Sequence, residues 1–232
     1  MDSLMVNMDF LADLEQFEVF SNLSAKKMKE YLPSFYFRSY KKNQVLYMQG
    51  DPRDKIFFLL DGYVMFERSS EEGNMLYLDF IKKNQMFPYG GIFKDEVYKD
   101  SAIALTDVYL YFIQASVLEE LLKSQPKALL HIIAKLSDIL TLHQRRVQQI
   151  LLPHSTDRVL QSLHFLMDDL GEKHGGEIVI PCPLTAACIS KISGTTRETV
   201  SLLMNELKRA GIISVESKII TVHQPDYFRN IK

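Results

Sequence analysis

Arg197 and Glu198 stand side by side behind Thr195 and Thr196, at the head of a stretch that reads as one helix to Arg209 and stops at Ala210-Gly211. Val200, Leu203, Met204 and Leu207 recur at helical spacing as an inward stripe, which leaves Arg197, Glu198, Ser201, Leu202, Asn205 and Lys208 outward. A guanidinium can make two hydrogen bonds to the O6 and N7 of guanine, and a carboxylate can accept from the N4 amino group of cytosine. An Arg-Glu pair in the first turn of an outward helix therefore suits the reading of G·C-containing steps in a major groove. The helix macrodipole opposes a cation at the N-terminus, so Arg197 is placed against local preference and points to an anionic or base partner. Glu198 has a second use. Thr195-x-x-Glu198 matches a capping box, in which the carboxylate satisfies the helix's own N–H groups. Local chemistry leaves both roles open for it.

The elements around this helix have a recognisable order. Thr185 can cap a helix over Ala186–Ile192, and Ser193-Gly194 turns the chain into the Arg197 helix, which is a helix-turn-helix pattern. Ile212–Val215 and Ile219–Val222, joined by Glu216-Ser217-Lys218, read as a hairpin wing. Upstream, Thr156–Leu170 is an amphipathic helix closed by Gly171. Gly171–Gly176 reads as a loop, Glu177–Ile180 as a strand, and Pro181-Cys182-Pro183 resets the chain. From Thr185 onward, seven Lys/Arg stand against four Asp/Glu. That modest basic face serves phosphate contacts if two copies bind together, with Lys191 and Lys218 as candidates.

The sequence also supplies a way to bring two copies together. Lys127–Leu152 runs without Gly or Pro and ends before Pro153, while Pro126 suits a helix's first turn. Leu129, Ile133, Leu136, Leu140, His143, Val147 and Ile150 alternate at spacings of four and three, the seam of a helix that packs on a partner helix. Packing on the chain's own sheet is the other use of such a stripe. Arg145, Arg146, Gln148 and Gln149 face away from it. His143 is the one polar seam residue, suited to setting register or, as a second role, to sensing pH.

The first ~115 residues read as strands punctuated by turns. Gln44–Gln49, Lys55–Leu60, Gly62–Arg68, Met75–Ile81 and Asp107–Gln114 are β-rich, and Asp61-Gly62 is a hairpin signal. The turn after Arg68 is Ser69-Ser70-Glu71-Glu72-Gly73-Asn74. Short helices within Asp9–Leu32 precede these strands, and Val117–Lys123 is a helix broken at Ser124-Gln125-Pro126. The fold class is α+β, with residues 1–116 a β-roll, 117–152 a hinge and dimerisation helix, and 153–232 a winged helix-turn-helix.

Composition excludes several functions. The chain has 232 residues, a net charge of −2 and 47% hydrophobic residues, which is ordinary for a globular protein and no polybasic coat. No apolar run approaches the ~18 residues of a membrane span. Asp2 and Asp9, with no basic start, argue against a secretory signal, so the cytoplasm is expected. All six histidines lie at or beyond His131, so no imidazole or thiolate metal site is expected before it, and a metal-dependent β-barrel enzyme is set aside. No GxSxG, HExxH or GxxxxGK[ST] motif occurs. The two cysteines are too few for a disulfide framework or zinc ribbon. Cys188 is expected in the helical core and Cys182, between prolines, near the surface; both read as reduced thiols, with a redox-sensing disulfide as the other possibility.

The chain resembles the CRP/FNR family of transcription regulators, through Gln49–Gly62 (QGDPRDKIFFLLDG), the Ser124–Pro126 junction into the long helix, and Thr195–Ile213 (TTRETVSLLMNELKRAGII) with its wing. The resemblance implies a cyclic-nucleotide-binding-like β-roll, a dimerising helix and a DNA-binding winged helix. It implies base reading for Arg197, Glu198 and Ser201, phosphate contacts for Thr185 and Thr199, and an effector pocket at Tyr89, Gly90, Gly91, Asp100, Ser101, His143 and Gln144. Where cAMP-binding relatives carry Glu and Arg, Tyr89 and Asp100 stand here, and a carboxylate repels phosphate. cAMP is therefore not the expected effector, another small molecule is possible, and neither N-terminal cysteines for an iron–sulfur cluster nor a β-roll histidine for haem is present. The third base-reading position is Leu202. The Firmicute ArcR/Flp-type branch is the nearest in character, which implies arginine catabolism or anaerobic and stress metabolism. The expected function is a homodimeric activator or repressor on inverted repeats of TGTGA-like half-sites, with RNA polymerase a partner if it activates. The competing reading is a ligand-binding regulatory module whose winged helix binds protein. An outward Arg197-Glu198 pair favours DNA.

Overall fold

The computed structural model describes residues 10–21, 23–72 and 75–229. Asp9, expected to start the first helical stretch, lies outside them, as do Gly73 and Asn74 of the expected turn. The chain forms two compact units, Met1–Ser70 with Asp79–Leu140, and Glu71–Leu78 with Thr141–Lys232.

In the first unit, helices at 10–15 (α1) and Ala25–Tyr31 (α2) precede the strands. The strands are β1 (Phe35–Tyr40), β2 (Val45–Tyr47), β3 (Lys55–Asp61), β4 (Val64–Ser69), β5 (Met75–Ile81), β6 (Met86–Phe87), β7 (Ser101–Ala104) and β8 (Val108–Gln114). They form two four-stranded sheets, in the orders β1-β8-β3-β6 and β2-β7-β4-β5. Phe57 lies opposite Phe112 on one neighbouring strand and Phe87 on the other. Tyr47 stacks on Tyr98 at 3.7 Å and on Phe57 at 5.6 Å, while Phe66 meets Phe87 at 5.7 Å, so aromatic rings from both sheets fill the roll.

Three strands escape sequence patterning. β1 has exposed side chains on both faces, β6 has two residues, and the Ser-Ala composition of β7 has weak β preference. The expected hairpin at Asp61-Gly62 is a correction: β3 and β4 belong to different sheets, so the turn is a corner between them. Gly62 adopts φ +92°, and a Cβ there would run into the Asp107 carbonyl oxygen. A corner and a hairpin make the same demand on that glycine, so local sequence cannot separate them.

Helices α3 (Ala115–Ser124) and α4 (Pro126–Ile150) follow. Leu118 and Leu121 of α3, with Ala128 and Ile132 of α4, close over Phe17, Phe20, Phe35 and Phe58 in one core. The inward face of α4 ends there. Ile133, Leu136, Leu140, Val147 and Ile150 are between 39% and 59% exposed, and Leu130 and Leu151, not among the expected seam residues, widen the stripe. Leu129 is half-buried.

The second unit contains α5 (Ser155–Leu170), β9 (Glu172–His174), β10 (Glu177–Ile180), α6 (Ala186–Ser193), α7 (Arg197–Arg209), β11 (Ile213–Glu216), β12 (Ile219–Val222) and α8 (Pro225–Arg229). Its sheet runs β11-β12-β10-β9. Gly171–Gly176 is not all loop, since Glu172–His174 pairs with β10. All three residues of β9 are exposed, so no alternation of polarity announces the strand. Val159, Leu163 and Leu166 of α5, Ile189 of α6, and Val200 and Leu207 of α7 are buried with Ile180 and Ile220 of the sheet. His143 of α4 meets the Tyr77 hydroxyl at 3.3 Å. Arg146 donates to the Leu78 carbonyl at 2.7 Å and lies 5.3 Å from the rings of Tyr77 and Phe165.

Candidate nucleic-acid interface

Thr185 caps α6 by accepting the Cys188 N–H at 3.1 Å. The helix ends at Gly194, whose φ of +58° is left-handed. Thr196 then caps α7 by accepting the Thr199 N–H at 3.2 Å. The N-cap expected at Thr195 is thus Thr196, which puts Glu198 at N2 and Thr199 at N3, so the expected Thr195-x-x-Glu198 capping box does not form; the Thr195 N–H is instead used on the Ser190 carbonyl, 3.0 Å away. Glu198 still leans on the first turn: the N–H of its own residue, followed by the Thr196 hydroxyl, holds its carboxyl below the usual carboxylate range.

The outward face of α7 carries Arg197, Glu198, Ser201, Leu202, Asn205 and Lys208, all exposed, while Val200, Leu203, Met204 and Leu207 are buried behind it. Lys191 is exposed on α6, and Thr185 and Thr199 are half-buried beside their caps. At the wing tip, Ser217 and Lys218 take φ of +50° and +72°, the primed turn of a tight hairpin. The Lys218 carbonyl accepts the Leu184 N–H at 2.9 Å, which ties the wing to the segment entering α6.

One positioning residue goes unmarked in the sequence reading. Arg158 of α5 donates to the carbonyls of Ser193 (3.1 Å), Leu152 (2.9 Å), Pro153 (3.3 Å) and Gly194 (3.3 Å). A single guanidinium therefore fastens the exit from α4 to the turn between α6 and α7. Arg158 sits in a helix's first turn, against the macrodipole, so the reasoning that singles out Arg197 would also find it.

The expected effector residues are less unified. Gly90, Gly91 and Asp100 line a cavity of ≈ 170 Å³ with Tyr47, Arg53 and Arg68. Asp100 is engaged by Arg68 through two hydrogen bonds, of 2.8 and 3.1 Å. Tyr89 instead packs against the helical core, and burial pushes its hydroxyl pKa up. The Ser101 hydroxyl accepts the Gln49 N–H at 2.9 Å. His143 and Gln144 belong to the second unit. Arg53, absent from the sequence expectations, is buried: it donates to the carbonyls of Asp95 (3.1 Å) and Gly91 (2.7 Å) and pairs with Glu119. Among the described residues no group of three or more His, Cys, Asp or Glu is placed to hold a metal ion, and no helix is long and apolar enough to cross a membrane.

Comparison with known proteins resolves the family. The Cyclic nucleotide-binding domain family matches residues 37–125, and the Crp-like helix-turn-helix domain family matches residues 157–231. The chain belongs to the CRP/FNR family of transcription regulators. The chain is 27% identical over 191 residues to a global nitrogen regulator from Nostoc sp., covering 81% of this chain and 85% of the relative. It is 26% identical over 204 residues to the HTH-type transcriptional regulator ArcR of Staphylococcus epidermidis, covering 88% and 89%. A CRP/FNR transcriptional regulator from Thermus thermophilus superposes with TM-score 0.60 at 26% identity, covering 84% of this chain and 97% of that one. FixK2 from Bradyrhizobium japonicum shares the fold, with TM-score 0.73 at 18% identity, covering 85% and 97%.

This CRP/FNR chain is therefore a transcription regulator with a helix-turn-helix DNA-binding domain, in a family of regulators and not of enzymes. Its cysteines reverse the expected burial. Cys182 is wholly buried and Cys188 only half-buried, both as free thiols. Between its flanking prolines, Cys182 sits at a bend between β10 and α6, with its side chain inside. Burial, then the neighbouring Cys188, pushes the Cys182 thiol far above its ordinary pKa. Since the thiolate is the reactive form, iodoacetamide should alkylate Cys188 in the native protein and Cys182 only after denaturation, as read by peptide mass mapping.

Proposed function

We propose that the chain acts as a homodimer on an inverted repeat of TGTGA-like half-sites, without cAMP. The carrying observation is the outward Arg197-Glu198 pair in the first turn of α7, backed by a fully buried opposite face. The exposed apolar stripe of α4 supports the dimer, because two such stripes exclude water by facing each other across a two-fold axis. Two α7 helices then present to half-sites about one helical turn apart. Arg197 takes a guanine and Glu198 a cytosine, with Ser201 beside them; Thr185, Lys191, Thr199 and Lys218 take phosphates. Independence from cAMP is supported by the Asp100 carboxylate and its Arg68 partner, which occupy the cavity's wall. No iron–sulfur cluster or haem is assigned, the setting is the cytoplasm, and RNA polymerase is the partner at activated promoters. The relation to ArcR supports arginine catabolism or anaerobic and stress metabolism as the regulated process.

Replacement of Arg197 by Ala should cost about 1–3 kcal/mol per half-site and relax the preference at one base pair. Lys191→Ala or Lys218→Ala should instead weaken all sequences alike and lower the salt slope by roughly one per phosphate contact. Binding curves on selected and scrambled sites, across a salt series, separate the two behaviours. An intact sequence preference in Arg197→Ala would make Arg197 a phosphate contact and defeat its assignment.

A further inference from the structure

Leu202 is out of character with its surroundings. It is 64% exposed on the outward face of α7, where Arg197, Glu198, Ser201, Asn205 and Lys208 are all polar. The helix meets its core with Val200, Leu203, Met204 and Leu207, so Leu202 lies outside the buried face. A single exposed leucine is ordinary on a protein surface. This one is distinguished by its place. It lies four residues after Glu198, and residues at that spacing share one helix face. Whatever Glu198 faces, Leu202 faces one turn further along.

The chemistry of that partner is narrow. The base edges of the major groove present hydrogen-bond donors and acceptors together with one apolar group, the C5-methyl of thymine. An aliphatic side chain laid against a polar edge would bury donors or acceptors without a partner, whereas against the methyl it removes apolar surface from water on both sides. We propose that Leu202 reads a thymine in each half-site through its C5-methyl, one turn of α7 beyond the base pair read by Glu198. This rests on the DNA-reading assignment of α7 and adds to it an apolar determinant of sequence.

The test uses the full-length protein and a DNA site obtained by selection from a random pool. Deoxyuridine replaces each thymine of one half-site in turn, removing a methyl and nothing else, and affinity is read by fluorescence anisotropy. At one thymine the wild-type chain should bind about fourfold more weakly, the loss expected for one methyl-sized group left unburied. Leu202→Ala should bind the thymine and deoxyuridine sites equally at that position and keep its discrimination elsewhere. Leu202→Gln, with a polar side chain of similar length, should lose the same discrimination. Both are substitutions at an exposed position, so folding is not at issue. If every deoxyuridine site binds the wild type as tightly as thymine, or if Leu202→Ala keeps the sensitivity, the proposal is overturned while DNA reading by α7 stands. If the pool yields no preferred sequence, both fall.

Discussion

Leu140→Glu should convert the protein to monomers and remove specific DNA binding. Leu140 is 59% exposed near the middle of the 25-residue α4, within the apolar stripe that includes Ile133, Leu136 and Val147. In the proposed dimer, a two-fold axis through that stripe sets the two copies of residue 140 near each other. The substitution then places two carboxylates in a seam closed to water, and an unpaired buried charge costs several kcal/mol. The dimer dissociation constant should rise by about a hundredfold or more, since each 1.4 kcal/mol is a factor of ten. Sedimentation velocity at micromolar concentration should show a dimer for the wild type and a monomer for the variant. Leu140→Met, which preserves apolar volume, should remain dimeric. Because Leu140 makes little contact within its own chain, the monomer should keep its secondary structure. A wild type that sediments as a monomer would refute the dimer.

The second large effect concerns stability. Glu119→Ala leaves the buried Arg53 guanidinium without its counter-charge, and removal of one partner from a buried pair costs about 3–5 kcal/mol. The lower end applies here, because the Glu119 side chain is 20% exposed while that of Arg53 is 3% exposed. Glu119 also accepts the Phe93 N–H at 3.0 Å, so the same variant loosens the loop around Gly91 and Asp95. The Arg53→Met/Glu119→Leu double variant should recover a large part of the loss, since apolar replacements of both partners remove the stranded charge. Urea unfolding followed by circular dichroism, run as a double-mutant cycle, measures both the single losses and the coupling. A Glu119→Ala protein as stable as wild type would show that Arg53 is neutralised by other means.

The contrast between these two sites shows which features a sequence displays. The α4 stripe and the division of α7 into buried and exposed faces are written in local periodicity, as are the turn at Gly194 and the wing. Each repeats within one or two helical turns or between adjacent strands. Arg53 is invisible at that range because Glu119 lies 66 residues away and its other acceptors are backbone carbonyls. Arg158 stands out locally only as a cation in a helix's first turn; the turn that it fastens is hidden, because its acceptors at Ser193 and Gly194 are 35 and 36 residues distant. Gly62 marks a turn correctly but not its partners, because β3 pairs with β8 and β4 with β7, strands that lie well beyond the turn in sequence. The prolines around Cys182 suggest the surface, while the packing of two elements that neither proline specifies carries the thiol inside. Leu129 and His143 match the seam spacing, yet both are half-buried, and His143 is engaged by Tyr77 within its own chain.

Under the proposed function, two copies of this chain read an inverted repeat through α7 without cAMP. Selection of bound DNA from a random pool by the purified protein, alone and with cAMP added, tests it most directly. The protein alone should enrich a two-fold symmetric site, with half-sites about one helical turn apart and no change on adding cAMP. Enrichment of an asymmetric single site, enrichment only when cAMP is present, or no enrichment at all would contradict it.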